Sequence, residues 1–337
     1  MIAIEYHADL KEVQSDARLS ALLGAPEQSA PFDRLAWWQQ LAEHCGLAPM
    51  LAVARDGDAL AVVPLQAGNG HLTALANWYS FRFRPVFSNN ADAPALLAAL
   101  AADLAKRAHR VTLSGLPDED GSATLIEEAF RQAGWTTARE TCDVNHILHV
   151  TGRSYDEYLA SRPGQLRTTL KRKSSKVQCD IIDEFQYNIW NIYEEIYQNS
   201  WKPSEGSPAF LRAFAAAEGA AGRLRLAVAR ADGQAVAAQM WTVEGGTAFI
   251  HKLAHLESAK PLSPGSVLSA ALFRHVIDHD RVELIDFGTG DNPYKRDWME
   301  AVRYRYRLDM FRPLAPQNWL LFAKSGLHRL AGKRKHG

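Results

Sequence analysis

The order of predicted strands and helices in the second half of the chain most constrains its fold. Three strand-like segments, residues 223–230, 234–243 and 247–254, follow one another with turn signals between them. The segments after them alternate between helix and strand, at residues 267–279, 282–287, 291–299 and 304–311. Helices and strands that alternate after a meander predict an α/β fold with a sheet of mixed strand direction.

The first half of the chain shows a weaker version of the same order. A helical pattern at residues 32–44 precedes a hairpin pattern, in which segments 51–55 and 59–65 flank an Asp-Gly-Asp turn. The rest comprises strands and helices at residues 71–75, 93–110, 111–113, 124–133 and 145–150. We therefore predict a duplicated fold with one domain at 1–150, a second at 151–312 and a tail at 313–337.

Charge is divided unevenly between the two halves, although the chain of 337 residues has a formal net charge of zero. Residues 1–150 carry 11 basic and 18 acidic side chains, whereas residues 151–337 carry 27 and 20. The net charge of zero argues against a uniformly basic protein that binds nucleic acid. The positive second half predicts that an anionic partner binds there.

The N-terminal segment and the cysteines indicate the compartment. Residues 1–7 alternate like a strand and lack the features of a signal peptide, and no apolar run approaches the roughly 18 residues of a transmembrane helix. The three cysteines, Cys45, Cys142 and Cys179, fit no metal or redox spacing. We therefore predict a cytoplasmic protein with reduced thiols.

Several chemistries lack their sequence signals. The chain has no Gly-x-Ser-x-Gly elbow and no Gly-x-x-x-x-Gly-Lys phosphate loop. His275 and His279 stand four residues apart, but Asp278 replaces the expected glutamate and no third ligand is evident. The sequence therefore predicts no metal site.

A Ser263-Pro264-Gly265-Ser266 turn joins the strand at 247–254 to the helix that follows. Gly265 has no Cβ, so a ligand can approach the backbone there. The first amides of the helix and the positive end of its dipole favour a pyrophosphate. An ordinary helix entry, capped by Ser263 or Ser266, explains the same residues.

Asp286 lies near the end of the buried strand at 282–287 and precedes a Gly-Thr-Gly segment. Because ligands in open α/β sheets bind at the carboxyl ends of strands, its carboxylate is well placed for chemistry. The glycines do not form a dinucleotide fingerprint, since Pro293 stands where the third glycine belongs. Capping of the next turn explains Asp286 equally well.

Two residues at the start of the next short helix are further candidates. Tyr294 or Lys295 could protonate a leaving group or hold an anion. Packing of Tyr294 beside Trp298, four residues later, is the structural alternative.

Two basic segments complete the pattern. Residues 166–176 include Arg167 and Lys171 and fit a phosphorylated donor, a polyanionic acceptor or an anionic lipid surface. A solvated helix face is the alternative. The tail segment at 319–330 is basic and amphipathic, which fits either a helix on a membrane surface or one docked on its own domain.

These segments together resemble the CelD-like (cellulose-biosynthesis type) acetyltransferases of the GNAT superfamily, which are related to FemAB-type aminoacyl transferases. The resemblance rests on residues 77–83, 159–163, 166–173, 193–197, 200–202, 252–254, 263–265, 286–288, 294–295 and 298. It implies tandem GNAT-like domains, of which 1–150 is degenerate and 151–312 holds the acyl donor and the catalytic residues.

The resemblance implies an acyl-CoA-dependent N-acyltransferase that moves the acyl group directly to an amine. The amine would belong to a sugar, a lipid or a sphingoid base, in envelope polysaccharide or lipid biosynthesis. Asp286 or His251 would accept the amine proton, Tyr294 would protonate the thiolate, and amides of strand 247–254 would polarise the thioester carbonyl. The residues expected to hold coenzyme A are Ser263, Gly265, Ser266, Arg167, Lys171, Lys252 and Lys295.

The chain departs from the broader GNAT pattern in one place. The Arg/Gln-x-x-Gly-x-Gly/Ala pyrophosphate loop is missing, and the Ser-Pro-Gly-Ser turn stands in its place. Two alternatives therefore stay open: a FemAB-like transferase that uses aminoacyl-tRNA, and a non-catalytic accessory protein of a membrane-bound pathway. Under the last interpretation the tail would contact an anionic membrane at its cytoplasmic face.

Overall fold

The computed structural model describes residues 1–313 and 315. Its strands are β1 (Ala3–His7), β2 (Pro49–Asp56), β3 (Ala59–Gln66), β4 (His71–Ala74), β5 (Val86–Phe87), β6 (Arg110–Leu116), β7 (Thr136–His149), β8 (Gln178–Ile182), β9 (Leu224–Ala231), β10 (Gln234–Glu244), β11 (Thr247–His255), β12 (Leu284–Thr289) and β13 (Ala301–Phe311). The predicted tail, residues 313–337, lies outside the described residues apart from Pro313 and Ala315.

Helices cover both faces of the sheet that these strands form. They are α1 (Leu10–Ser15), α2 (Ala17–Leu22), α3 (Leu35–Cys45), α4 (Ala93–Leu104), α5 (Ser122–Gln132), α6 (Tyr155–Ala160), α7 (Gly164–Lys173), α8 (Tyr187–Gln198), α9 (Pro208–Ala220), α10 (Pro264–Arg274) and α11 (Pro293–Arg296). A π-helical turn, His275–His279, extends α10. Within the described part of the chain, no helix is long and apolar enough to cross a membrane.

One mixed sheet runs through both halves of the chain, in the order β1-β2-β3-β4-β6-β13-β7-β12-β11-β10-β9-β8, with β5 attached to β3. Each half contributes one parallel pair, β4 with β6 and β11 with β12. The prediction of an α/β fold with a sheet of mixed direction is confirmed.

The last strand of each half pairs outside its own half. Strand β7 lies against β12, and β13 lies between β6 and β7. The two halves therefore share one hydrogen-bonded sheet through exchanged strands. The domain limits at 1–150 and 151–312 stay a prediction.

The apolar core on one face of the sheet also joins the two halves. Trp37 on α3 packs edge-on against Phe210 and Phe214 on α9, with ring centroids 5.1 Å apart in both pairs. Aromatic contacts of this kind add to the free energy gained by burying apolar area. This packing fixes the first half against the face of the second half that carries α8 and α9.

Candidate active site

A cleft opens in the sheet where the parallel strands β11 and β12 separate. Their pairing ends at Phe249 and Asp286, and beyond that point the strands diverge. A cavity of about 640 Å³ lies there, called the acyl cleft below. Its lining is Trp78, Phe81, Tyr197, Lys202, Ile250, His251, Lys252, Leu253, Phe287, Gly288, Thr289, Gly290, Asp291, Asn292, Pro293 and Lys295.

A β-bulge on β11 places His251 in the wall of this cleft. Ile250 pairs with Trp241 and Lys252 pairs with Met240, so His251 is the extra residue without a partner in β10. The imidazole Nε2 lies 2.8 Å from the Thr242 hydroxyl oxygen. Burial, with the nearby positive charges, lowers the pKa of His251 to about 3, so the ring is neutral at pH 7.

Asp286 shapes the turn that carries β12 away from β11. Its Oδ1 accepts hydrogen bonds from Asn145 Nδ2 at 2.8 Å and from the Gly288 amide at 2.7 Å. Gly288 has φ +67°, and a Cβ there would lie 2.9 Å from the Phe81 ring, so the turn requires glycine. The carboxylate is buried beside the cleft, and it is not among the groups described as lining it.

Lys295 is a buried amine in the floor of the acyl cleft. Its Nζ donates hydrogen bonds to the Gly288 carbonyl at 3.1 Å and to the Thr289 carbonyl at 2.6 Å. Burial lowers the pKa of Lys295 to about 8, although Asp286 opposes this shift. The side chain therefore changes its protonation state close to neutral pH.

Lys252 belongs to a hydrogen-bonded cluster of polar side chains that the sequence did not predict. Its Nζ donates to Glu205 Oε2 at 2.7 Å, and Glu205 Oε1 accepts from the Tyr79 hydroxyl at 2.5 Å. Burial alone would raise the pKa of Glu205, but the charge of Lys252 and these hydrogen bonds hold it below its usual value. Glu205 lies in an irregular segment, where only its position in a Pro-Ser-Glu-Gly turn sequence could have drawn attention to it.

The Ser-Pro-Gly-Ser turn lines an adjoining cavity of about 360 Å³, called the turn cavity below. It shares Leu253 and Asn292 with the acyl cleft, so the two cavities adjoin. Ser263 adopts φ +52°, and no side chain caps α10 there. The amides at the start of α10 are thus available to an anion. A Cβ on Gly265 would lie 3.2 Å from the His255 ring.

Tyr294 also lines the turn cavity. Its ring packs edge-on against Phe287 at 5.4 Å, and its buried hydroxyl has no hydrogen-bond partner among the described residues. Burial raises the pKa of Tyr294 well above its usual value, so the hydroxyl stays protonated. A buried hydroxyl in this state can donate a hydrogen bond to a ligand.

Arg167 and Lys171 lie apart from both cavities. They are exposed on α7, where Arg167 Nε donates to the Arg162 carbonyl at 3.1 Å. Leu166 and Leu170 face the core, as their spacing predicts. The structure thus brings His251, Lys252 and Lys295 together in the acyl cleft, and Ser263, Gly265, Ser266 and Tyr294 in the turn cavity.

The two histidines at helical spacing begin and end the π-helical turn after α10. Donor atoms of His275, His279 and Asp280 come within 4.8 Å of one another. Arg225 already binds both oxygens of Asp280, at 3.0 and 2.8 Å. A cation there would compete with this ion pair.

Comparison with known proteins finds a family match within the second half. Residues 153–296 match the family of acetyltransferase (GNAT) domains. A search of curated proteins found no match.

Three solved structures share the fold over nearly the whole chain. The C-terminal domain assigned to a lysylphosphatidylglycerol synthetase from Agrobacterium fabrum has a TM-score of 0.61 at 14% identity, over 95% of this chain and 98% of that chain. FemX has a TM-score of 0.59 at 11% identity, over 90% and 96%. L-PGS from Bacillus licheniformis has 0.56 at 11%, over 94% and 96%. The match of residues 153–296 to acetyltransferase (GNAT) domains confirms the prediction of an acyltransferase.

Proposed function

We propose that this protein transfers an acyl group directly from a coenzyme A thioester to an amine. The observation that carries the proposal is the divergence of β11 and β12 within the GNAT-matched region. The divergence leaves one edge of β11 without a strand partner beside an uncapped helix N-terminus. Such a cleft offers amides to a thioester carbonyl at one end and to a pyrophosphate at the other.

The donor would bind along both cavities. Its pyrophosphate would accept hydrogen bonds from the Gly265 and Ser266 amides, and its thioester would lie at the His251 bulge. Lys252 is held by Glu205 and adds positive charge to the cleft wall. Because Arg167 and Lys171 lie apart, we assign them no contact with this part of the donor.

The amine would lose its proton to Lys295. A neutral lysine has two N–H groups, and the Gly288 and Thr289 carbonyls accept both, which leaves the nitrogen lone pair free. A base works best when its pKa lies near the working pH, and Lys295 at about 8 meets this condition better than His251 at about 3.

The bond changes follow from these positions. The amine nitrogen bonds to the thioester carbon, Lys295 takes a proton from that nitrogen, and the carbon–sulfur bond breaks. Tyr294 donates its proton to the departing thiolate and regains one from solvent, and Lys295 releases to solvent the proton that it took from the amine. Neither step requires a covalent enzyme intermediate.

Asp286 offers a test between a catalytic base and a turn residue. We expect Asp286→Asn to keep kcat within about tenfold, because asparagine still offers an oxygen to the Gly288 amide. The apparent pKa of the reaction should fall, since the carboxylate that opposes the shift of Lys295 is gone. A pH series of acetyl transfer to an accepted amine measures both. A general base would instead lose about 10²–10⁴ in rate, which would contradict this assignment.

The donor site is tested by acetyl-CoA binding. We expect Gly265→Trp to weaken acetyl-CoA binding at least about tenfold, because the indole would fill the turn cavity and shield the amides of α10. Isothermal titration calorimetry on the wild type and the variant measures this. Ala220→Trp, an exposed position on α9, is the control and should bind like the wild type. Equal affinity for Gly265→Trp would contradict the proposed donor site.

A second candidate donor is aminoacyl-tRNA. The fold shared with FemX and the resemblance to FemAB-type transferases support it, and the positive second half would carry the RNA. Binding of tRNA that weakens steeply with salt, together with no acetyl-CoA binding, would favour this donor.

The finer predictions from sequence belong to the same proposal. We propose a CelD-like acetyltransferase with a sugar, lipid or sphingoid amine as acceptor in envelope polysaccharide or lipid biosynthesis. Contact of the basic tail with an anionic membrane is also part of this proposal. The tail lies outside the described residues apart from Pro313 and Ala315.

A further inference from the structure

A further cavity lies in the first half, where the parallel strands β4 and β6 separate. Their pairing ends at Thr73 and Thr112, and beyond that point β6 bonds to Phe83, whose amide donates to the Gly115 carbonyl at 3.0 Å. The cavity has a volume of about 380 Å³, within the usual range of small-ligand sites, and we call it the first-half cavity. Its lining includes Gln66, Thr73, Trp78, Ser114, Asp143 and Thr289.

The first-half cavity is the counterpart of the acyl cleft, because each lies where the parallel strands of its half diverge. The helices between those strands differ in their first turn. No side chain caps α10 in the second half, whereas the Asp92 carboxylate caps α4 and accepts from the Ala95 amide at 3.1 Å. An acidic cap occupies an amide and repels a pyrophosphate. The first half therefore lacks the feature on which the proposed donor site depends, and its cavity is available to the acceptor.

The acyl cleft adjoins the first-half cavity and the turn cavity through different residues. It shares Trp78 and Thr289 with the first-half cavity, and Leu253 and Asn292 with the turn cavity. The Thr289 carbonyl accepts from Lys295 Nζ at 2.6 Å. A donor that enters through the turn cavity thus leaves the first-half cavity free, and a ligand there lies next to the proposed base.

Asp143 lies where the first-half cavity meets the acyl cleft. Its Oδ1 accepts from the Val144 amide at 2.7 Å and from the amide of Gly290, which lines the acyl cleft, at 2.9 Å. Its Oδ2 accepts no hydrogen bond from a described residue and is not among the buried unpaired atoms, so a ligand can reach it. The charge of Asp143 also acts on Lys295, whose pKa it raises. A carboxylate in this position can bind an ammonium group close to the base.

The other charged side chains in the lining already have partners. Arg82 Nη2 lies 2.5 Å from Asp33 Oδ2, and Arg305 Nη1 lies 3.0 Å from Glu119 Oε1. Asp143 is therefore the charged residue of this lining without an ion-pair partner in the described part of the chain. The first-half cavity offers a negative charge to its ligand.

The neutral lining residues can be reached from the cavity. The side chains of Gln66, Thr73 and Ser114 form no hydrogen bond with a described residue, and their polar atoms are not among the buried unpaired ones. The indole of Trp78 is 68% exposed. An accessible aromatic face packs against the apolar face of a sugar ring, while amide and hydroxyl side chains bind its hydroxyl groups.

We propose that the first-half cavity binds the acceptor, an amino sugar of the size of glucosamine. Its ring packs on Trp78 and its ammonium group binds Asp143 beside the acyl cleft. Its hydroxyl groups bind Gln66, Thr73 and Ser114. The ammonium group releases one proton to solvent, and the neutral amine then reacts as described above. This inference rests on the proposed function and adds the class of acceptor and its site.

The test compares glucosamine with glucose by NMR titration. We expect Asp143→Asn to bind glucosamine about tenfold more weakly than the wild type, because a hydrogen bond between two charged groups is lost. Glucose has no ammonium group and should bind both proteins equally. The asparagine oxygen can still accept from the Gly290 amide. Asp156→Asn is the matched control: its side chain is 78% exposed on α6, and the variant should bind both sugars like the wild type.

Ser114→Trp tests the cavity independently of Asp143. Ser114 is exposed on β6, so the indole has room to enter the first-half cavity. We expect binding of both sugars to fall at least about tenfold, with the wild-type affinity for acetyl-CoA. Unchanged glucosamine binding in Asp143→Asn and Ser114→Trp would overturn the acceptor site. An equal loss of glucose and glucosamine in Asp143→Asn would overturn the ammonium contact.

Acetyl-CoA binding separates failure of this inference from failure of the proposed function. If the wild type binds acetyl-CoA but not glucosamine, the amino-sugar site is wrong while the donor site stands. Tighter binding of sphinganine than of glucosamine, lost in Ser114→Trp, would overturn the amino-sugar class. If acetyl-CoA does not bind, the proposed function itself fails.

Discussion

Replacing Arg34 with alanine is expected to lower the free energy of unfolding by about 3–5 kcal/mol. Arg34 Nη2 lies 3.1 Å from a carboxylate oxygen of Glu218 and 3.1 Å from one of Glu244. The three side chains are only 5–6% exposed. Arg34 lies in the first half and both glutamates in the second. Its loss leaves the two buried carboxylates with Arg223 alone, which pairs with Glu218 at 2.6 Å and lies 3.8 Å from Glu244.

The loss should be larger at pH 8 than at pH 6. Burial raises the pKa of Glu244 to about 7, from an ordinary value of 4.5. The folded protein therefore binds this proton more tightly than the unfolded chain, and the stability that it contributes is lost as the pH rises through 7. Without Arg34 the Glu244 carboxyl group protonates even more readily, because the charge of Arg34 lowers its pKa. At pH 6 the variant therefore loses less stability than at pH 8.

Urea unfolding at both pH values measures the effect. Arg18→Ala is the control, because Arg18 pairs with Asp58 at 2.6 Å but the two side chains are 58% and 75% exposed. An exposed pair of this kind contributes about 0–1 kcal/mol. A loss below about 1 kcal/mol for Arg34→Ala at pH 8 would contradict the account of a buried ion cluster.

The Arg34 cluster also shows which part of the fold the sequence could not predict. The partners of Arg34 are 184 and 210 positions away, and no local pattern links them. Periodicity and turn residues predicted the meander β9–β11 and the helix α10 because those signals are local. The insertion of β13 between β6 and β7 depends on pairing between distant strands, which a local pattern does not specify.

One strand was missed and another was predicted too short, for a related reason. Strand β8 lies at the end of the sheet and is only partly buried, so its sequence lacks the apolar alternation of the central strands. Strand β7 begins with a polar and largely exposed run from Thr136, so the sequence predicted only its last part, from residue 145, and missed nearly two thirds of its length. In both strands, hydrogen bonding to a neighbour compensates for weak patterning.

The residues of the candidate site also differ in whether a local sequence signal marks them. Gly265 and Lys295 were predicted because each lies next to a turn at the end of a strand, where the sequence pattern is local. Glu205 was not predicted, because its role depends on contacts with Lys252 and Tyr79. Side chains that act through tertiary contacts leave no spacing to recognise.

Replacing Lys295 with methionine is expected to lower kcat for acetyl transfer by about 10²–10⁴, the range for loss of a general base. Methionine keeps much of the aliphatic stem beside Phe287 but has no lone pair of sufficient basicity. Acetyl transfer from acetyl-CoA to an accepted amine, followed by release of the free thiol, measures the change. Acetyl-CoA affinity should fall far less than kcat, since the contacts proposed for the pyrophosphate lie in the turn cavity.

The pH profile distinguishes a base from a binding residue. With a pKa of about 8, Lys295 is mostly protonated at pH 7, so the wild-type rate should rise with pH and level off above about 8. Lys295→Arg should not restore activity, because a guanidinium stays protonated throughout this range. If Lys295 only held an anion, arginine would restore the activity, and the rate would not rise with pH in this way.

Stability measured on the same variants provides an independent check. The pKa of Lys295 is lowered from 10.5 to about 8, so between these values the unfolded chain binds the proton and the folded protein does not. Wild-type stability should therefore gain from Lys295 as the pH rises from about 8 to 10.5, and Lys295→Met should lack this gain. If Lys295→Met stays fully active and keeps the wild-type pH profile, the base lies elsewhere and His251 is the next group in the cleft to test.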